Sequence, residues 1–214
     1  MKAVLKFSKS NYRIVILLFI LIIVIPPLLY KYRSTLLAIN PAGGKEMNLT
    51  ISEKIPYYLQ ADEKWRNDRI GGSNQRMAGV GCTICCLSMA LTHHGFAIDP
   101  QQLNQNLKAN NGYTNKGWLI WGSIKKITNN RYDVVVPKWF SYSTIDQELE
   151  AGNPVISQIF LQDTVQHWVL IVGKSGSEYL VHDPLRRDKK ILKLSDLSDK
   201  IRSIRFLKAN KPSE

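Results

Sequence analysis

Three cysteines fall within five residues, Cys82, Cys85 and Cys86, and the first has the setting of a nucleophile. Gly79 and Gly81 let the chain turn sharply before Cys82, and the apolar residues that follow predict a helix beginning there. Unpaired amides and the macrodipole at a helix mouth favour an anion, so a thiolate is at home in that place. Cys85 and Cys86, one turn further in, read as packing. A thiolate needs a proton acceptor, and His167 stands at the start of the run His-Trp-Val-Leu-Ile-Val-Gly, which predicts a strand. Asp183 closes the next β-branched run. A hairpin turn centred on Ser175 would set 167 opposite 183, where the carboxylate fixes the tautomer of the imidazole.

Acyl transfer to sulfur also needs donors for the oxyanion. The Cys82 backbone amide is one, and Gln60, in Tyr-Tyr-Leu-Gln-Ala-Asp-Glu-Lys-Trp, is a candidate for the other. Gln60 with Asp62 and Trp65, Gly81-Cys82 before a Leu-x-Met helix, His167-Trp168-Val169 with Gly173, and Asp183-Pro184 occur in that order. Together they resemble the bacteriocin-processing, double-glycine-leader cysteine peptidases and their stand-alone bacterial relatives, a family-thirty-nine-like domain within the papain-like superfamily. The resemblance covers roughly residues 55–195. It implies Cys82 as nucleophile, His167 as base, Asp183 as its partner and Gln60 as oxyanion donor, a peptide or protein substrate cut after small residues such as Gly, and no metal or organic cofactor. Relatives often follow Gly-Cys with Gly-Pro-Thr or an acidic residue, whereas here Thr83-Ile84-Cys85 follows. The phosphate-binding loop of the transporter-fused members does not occur, so this chain does not power export.

The elements that must position these residues change character along the chain. Residues 82–94, 100–110 (with Asp99 as N-cap) and 118–128 predict helices. Residues 132–136, 155–160, 167–172, 179–182 and 190–194 predict strands, interrupted by a helix over 143–150. Helices followed by a mostly antiparallel sheet describe an α+β domain over residues 55–208, with a short tail at 209–214. Trp118 and Trp121 are core candidates that could also wall a cleft.

The net charge of +12 suggests nucleic acid until it is located. Residues 1–33 hold six of the 29 basic residues and no acid, so 23 basic and 17 acidic residues remain, or +6. Arg186, Arg187, Lys189 and Lys190, with Asp188 among them, read as a solvated turn, and no nucleic-acid partner is expected. Residues 14–29 are apolar throughout and would span about 24 Å as a helix, slightly under a hydrocarbon core of about 30 Å. Lys2, Lys6, Lys9 and Arg13 precede this run and Lys31 and Arg33 follow it. The expectation over residues 1–33 is a single-pass signal anchor in the cell membrane with the catalytic domain extracytoplasmic, joined by a linker at 34–54. Lys31-Tyr32-Arg33 is a poor cleavage site, which disfavours a cleaved signal peptide and secretion, the alternative.

Three other readings stay open. Cys82-Thr83-Ile84-Cys85 is a C-x-x-C at a helix start, as in a membrane-tethered thiol-disulfide oxidoreductase. The fold could also serve only to bind peptides or cell-wall components. Zinc on Cys82, Cys85, Cys86, His93 and His94 is disfavoured, because ligands crowded on one helix do not surround a metal.

Overall fold

The computed structural model describes residues 9–25, 37–188 and 190–210, in two compact units, Met1–Ala38 and Ile39–Glu214. In the first unit a helix, Lys9–Phe19, continues through a π-helical turn, Ile20–Val24, with Leu17 and Phe19 among its exposed apolar side chains. No helix among the described residues is long and apolar enough to cross a membrane. Residues 26–29 of the expected span lie outside the described residues.

The second unit is α+β, as the sequence pattern predicts. Its strands are β1 (Ala42–Thr50), β2 (Tyr132–Val135), β3 (Val155–Leu161), β4 (Val165–His182), β5 (Leu192–Lys193) and β6 (Ser203–Ala209). They form one sheet in the order β1-β4-β3-β6-β2, with β5 beside β4, and every pairing between strands is antiparallel. The cysteine helix, Cys82–His93, packs across β4, β3 and β6. Pro100–Ala109 starts on a capping box between Asp99 and Gln102, with Pro at a position where no amide is missed. Alternation along the strands splits the core between the faces of the sheet. Ile156, Leu170 and Val172 join the cysteine helix, while Val155, Ile159, Val169 and Ile171 pack with Ile145 and Leu149 of the helix Tyr142–Glu150.

Four local expectations need correction. The expected linker at 34–54 carries β1, which pairs with β4, and Ile39 exchanges both backbone hydrogen bonds with Ile201. This edge strand buries no apolar stripe, so the pattern gave no sign of it. The expected helix at 118–128 shrinks to Ser123–Ile127; ahead of it Tyr113 pairs with Leu119 around a turn at Gly117, whose φ is 79°. The strand expected at 190–194 is two residues long. Finally, the two strands expected on either side of Ser175 are one continuous β4. Its pairings pass from β3 at Val165–Ile171 to β1 at Gly173–Glu178 and then to β5, and Gly173 has no side chain because a Cβ would meet the Leu49 carbonyl at 2.5 Å.

Where β4 meets β1, a polar cluster is buried. Lys174 is 1% exposed, and its Nζ donates to Asp146 Oδ1 at 2.8 Å and to the Lys45 carbonyl at 2.6 Å. Tyr179 Oη donates to the same carboxylate oxygen at 2.8 Å, and the Lys45 amide donates to Asp146 Oδ2 at 2.9 Å. Removing one partner of a buried pair strands the other charge, at a cost of about 3–5 kcal/mol, whereas replacing both by apolar groups is often neutral. Asp146→Ala is therefore expected to lower the unfolding free energy in urea by about 3–5 kcal/mol. The double variant Asp146→Leu/Lys174→Met should recover part of that loss, since Tyr179 Oη and the Lys45 amide still lose their acceptor; equal destabilisation of both variants would show that the stranded lysine charge is not its source.

Candidate active site

Cys82 opens its helix on Gly81, with no side-chain cap. Gly81 is needed there, because a Cβ would meet the Met77 carbonyl at 2.5 Å. The first-turn amides of a helix have no acceptor within it, and the Cys82 N–H is one of them. Cys82 is buried but faces a cavity of about 510 Å³ that Gln60 and His167 also line.

His167 stands two residues into β4, opposite Ile159 of β3. The connection from β3 to β4 is tight: Gln162 and Asp163 both have positive φ, 49° and 60°, and the Thr164 amide donates to Leu161. That turn holds the start of β4 at the cavity rim. The other end of the same strand returns to it. His167 Nε2 lies 2.7 Å from Oδ1 of Asp183, one residue beyond β4, whereas sixteen residues of straight strand would separate them by about 50 Å. The chain therefore reverses within β4, and Gly176, with φ 59°, lies in the reversing segment.

With Nε2 engaged by Asp183, the other ring nitrogen is left free to face Cys82, which lines the same cavity. Burial pulls the His167 pKa down, but the Asp183 hydrogen bond and the Cys82 sulfur outweigh it and push the pKa up to about 9. An imidazolium at neutral pH is the form that carries a proton to a leaving group. Asp183 is itself held: its Oδ1 also accepts from the Leu185 amide at 2.9 Å, and the Tyr57 hydroxyl takes the Asp183 N–H and donates to the Asp183 carbonyl, each at 3.0 Å.

Gln60 is 2% exposed, and its Nε2 donates to the Ala78 carbonyl at 2.7 Å, in the segment just before Cys82. A carbonyl only accepts, which fixes the orientation of the amide and leaves a second N–H on Nε2 unassigned. The structure thus brings all four expected residues, Gln60, Cys82, His167 and Asp183, into one neighbourhood. Cys85 and Cys86 lie elsewhere in character: both are fully buried, burial raises both thiols well above their ordinary range, and Cys86 Sγ donates to the Trp168 carbonyl. Buried neutral thiols suit neither zinc nor disulfide exchange.

Sequence reasoning missed Tyr57, although it lies three residues before Gln60, because its partner is backbone 126 residues away. It also missed Arg205, whose guanidinium lies 5.4 Å from the Trp121 ring and 5.5 Å from the Trp168 ring. A lone arginine in the terminal strand carries no spacing signal.

An antiparallel α+β unit of this shape is the fold of C39-like peptidases. A crystal structure of a proposed C39-like peptidase from Bacillus anthracis superposes with a TM-score of 0.51 at 17% identity, over 78% of this chain and 100% of that one. The chain belongs to the Peptidase_C39 like family, whose sequence profile matches residues 52–206. No curated protein matches it. Cysteine peptidase activity is what the family implies.

The imidazole titration is directly measurable. In wild type His167 is expected to titrate near pH 9 by NMR of the ring nitrogens, and in Cys82→Ser and Asp183→Asn at lower pH, since each change removes a group that raises it. An unchanged value in both variants would contradict the arrangement.

Proposed function

We propose that this chain is a papain-like cysteine peptidase acting through Cys82, His167 and Asp183, with Gln60 as an oxyanion donor. The observation that carries the reading is the 2.7 Å contact of His167 Nε2 with Asp183 on a ring that lines the same cavity as Cys82. The Cys82 thiolate attacks a peptide carbonyl carbon, and the oxyanion turns toward the Cys82 amide and the second Nε2 hydrogen of Gln60. The C–N bond breaks as His167 gives its proton to the departing amine, leaving a thioester. His167, now neutral, takes a proton from water, which attacks the thioester; the acid is released and the sulfur regenerated with its proton on His167.

Cleavage of a peptide library, read by mass spectrometry, tests this. Cys82→Ala is expected to lose cleavage by roughly 10⁴-fold or more and Gln60→Ala to slow kcat by roughly 10²–10³-fold, whereas Cys85→Ser stays active. Identical products from wild type and Cys82→Ala would refute the chemistry, and loss of activity in Cys85→Ser would favour the redox reading.

Membrane attachment through the N-terminal unit, with the catalytic unit extracytoplasmic, is part of the same proposal. It is supported by the exposed apolar helix surface and by the basic residues before it. The full chain is expected to remain with membranes after alkaline carbonate extraction. Release into the supernatant with a new N-terminus beyond residue 33 would instead identify a cleaved signal peptide.

A further inference from the structure

Strand β6 carries a cation that no described residue neutralises. Arg205 is half-buried and stands opposite Ile156 of β3, so it lies on the face of the sheet that packs against the cysteine helix. Its guanidinium is 5.4 Å from the Trp121 ring and 5.5 Å from the Trp168 ring, and the two rings are 5.4 Å apart. Both tryptophans line the cavity, whereas Arg205 does not.

Aromatic faces attract a cation but leave the five in-plane donors of a guanidinium unused. Among the described residues these donors make one hydrogen bond, from Nη1 to the Ile204 carbonyl at 2.6 Å, and Nε is buried with no acceptor. No described carboxylate forms an ion pair with Arg205. β3, β6 and the segment 113–121 hold no Asp or Glu, Asp133 on the neighbouring β2 pairs with Lys125, and Asp163 in the β3–β4 turn is exposed. Burial, with no acid to offset it, pushes the Arg205 pKa down to about 10. A Met or Leu would pack against two tryptophans without that desolvation cost. The unused Nε–Nη2 edge is the planar fork that matches a carboxylate.

Resting on the peptidase reading, we propose that Arg205 and Trp121 form an anion subsite that takes a carboxylate of the substrate, from an Asp or Glu side chain or from a free C-terminus, beside the residues held in the cavity. The cavity lining itself contains no Asp, Glu, Lys or Arg among the described residues, so this flank is where charge is read. A charge-assisted hydrogen bond in a half-buried setting corresponds to a preference of roughly 10- to 100-fold.

Retention separates this claim from catalysis. The full chain with Cys82→Ala is immobilised and offered two N-acetylated peptide libraries, one with amidated and one with free C-termini, and retained peptides are sequenced by mass spectrometry. Peptides with a carboxylate at the favoured position are expected to be enriched roughly 10- to 100-fold over their Asn, Gln or amide counterparts. Enrichment of internal Asp and Glu in both libraries assigns a side chain; enrichment confined to the free-acid library assigns the C-terminus. Adding Arg205→Gln is expected to abolish the enrichment, with thermal unfolding confirming a folded protein. Arg205→Lys keeps the charge but not the fork, and is expected to reduce the enrichment several-fold; it decides the matter if Arg205→Gln does not fold. Carboxylates enriched no more than their neutral counterparts, or an enrichment that the folded variants leave unchanged, overturn the proposal. Carboxylate-selective retention without cleavage by wild type leaves the subsite standing and removes the peptidase reading, whereas cleavage indifferent to acidic residues does the reverse.

Discussion

Between His167 and Asp183 the chain must turn back on itself, and the site exists only while that reversal holds. The reversing segment contains Lys174, Gly176 and Tyr179, and two of the three are tied to Asp146 on the helix Tyr142–Glu150. A buried lysine is stable only when its charge is paired and its remaining protons have acceptors. Asp146 and the Lys45 carbonyl meet those needs, so β1, β4 and a helix are fastened at one point. The cluster sits on the strand that carries His167, and none of its four residues lines the cavity.

The electrostatics of the site are a contest that burial alone would lose. An imidazole that is 3% exposed is driven toward neutrality, and only close partners reverse the sign. Asp183 is such a partner because its geometry is over-determined: Tyr57 grips its backbone on both sides while the Leu185 amide shares its carboxylate. Neighbouring His182 shows the opposite outcome. Stacked on Tyr57 at 4.4 Å with no carboxylate bonded to it, its pKa is lowered by burial to about 4. Two histidines with the same ordinary range, at 167 and 182, thus part by whether Asp183 and Cys82 stand beside the ring.

What was legible in the sequence follows from the range of the forces involved. The cysteine helix and the helix after Asp99 declare themselves through local pattern and capping, and the structure has them within a residue of expectation. Order and chemistry also singled out Gln60, Cys82, His167 and Asp183, which share one neighbourhood. The expected hairpin anticipated that 167 and 183 meet, but its two strands are one element, since β1 pairs along the segment where a free turn was expected. β1 itself was invisible because it is held by a glycine contact and by Asp146, neither of which leaves a periodic trace. Trp118 and Trp121 have the spacing of a helix face; the positive φ at Gly117 instead makes a turn that leaves Trp118 at the cavity rim and Trp121 in its wall beside Trp168.

The apolar walls and the polar centre are one design problem. Interactions among His167, Asp183 and a developing oxyanion strengthen as water is excluded, because the effective dielectric falls. Walls built of Trp121, Trp168 and Leu119 stand on one side of Cys82 and limit the access of water there.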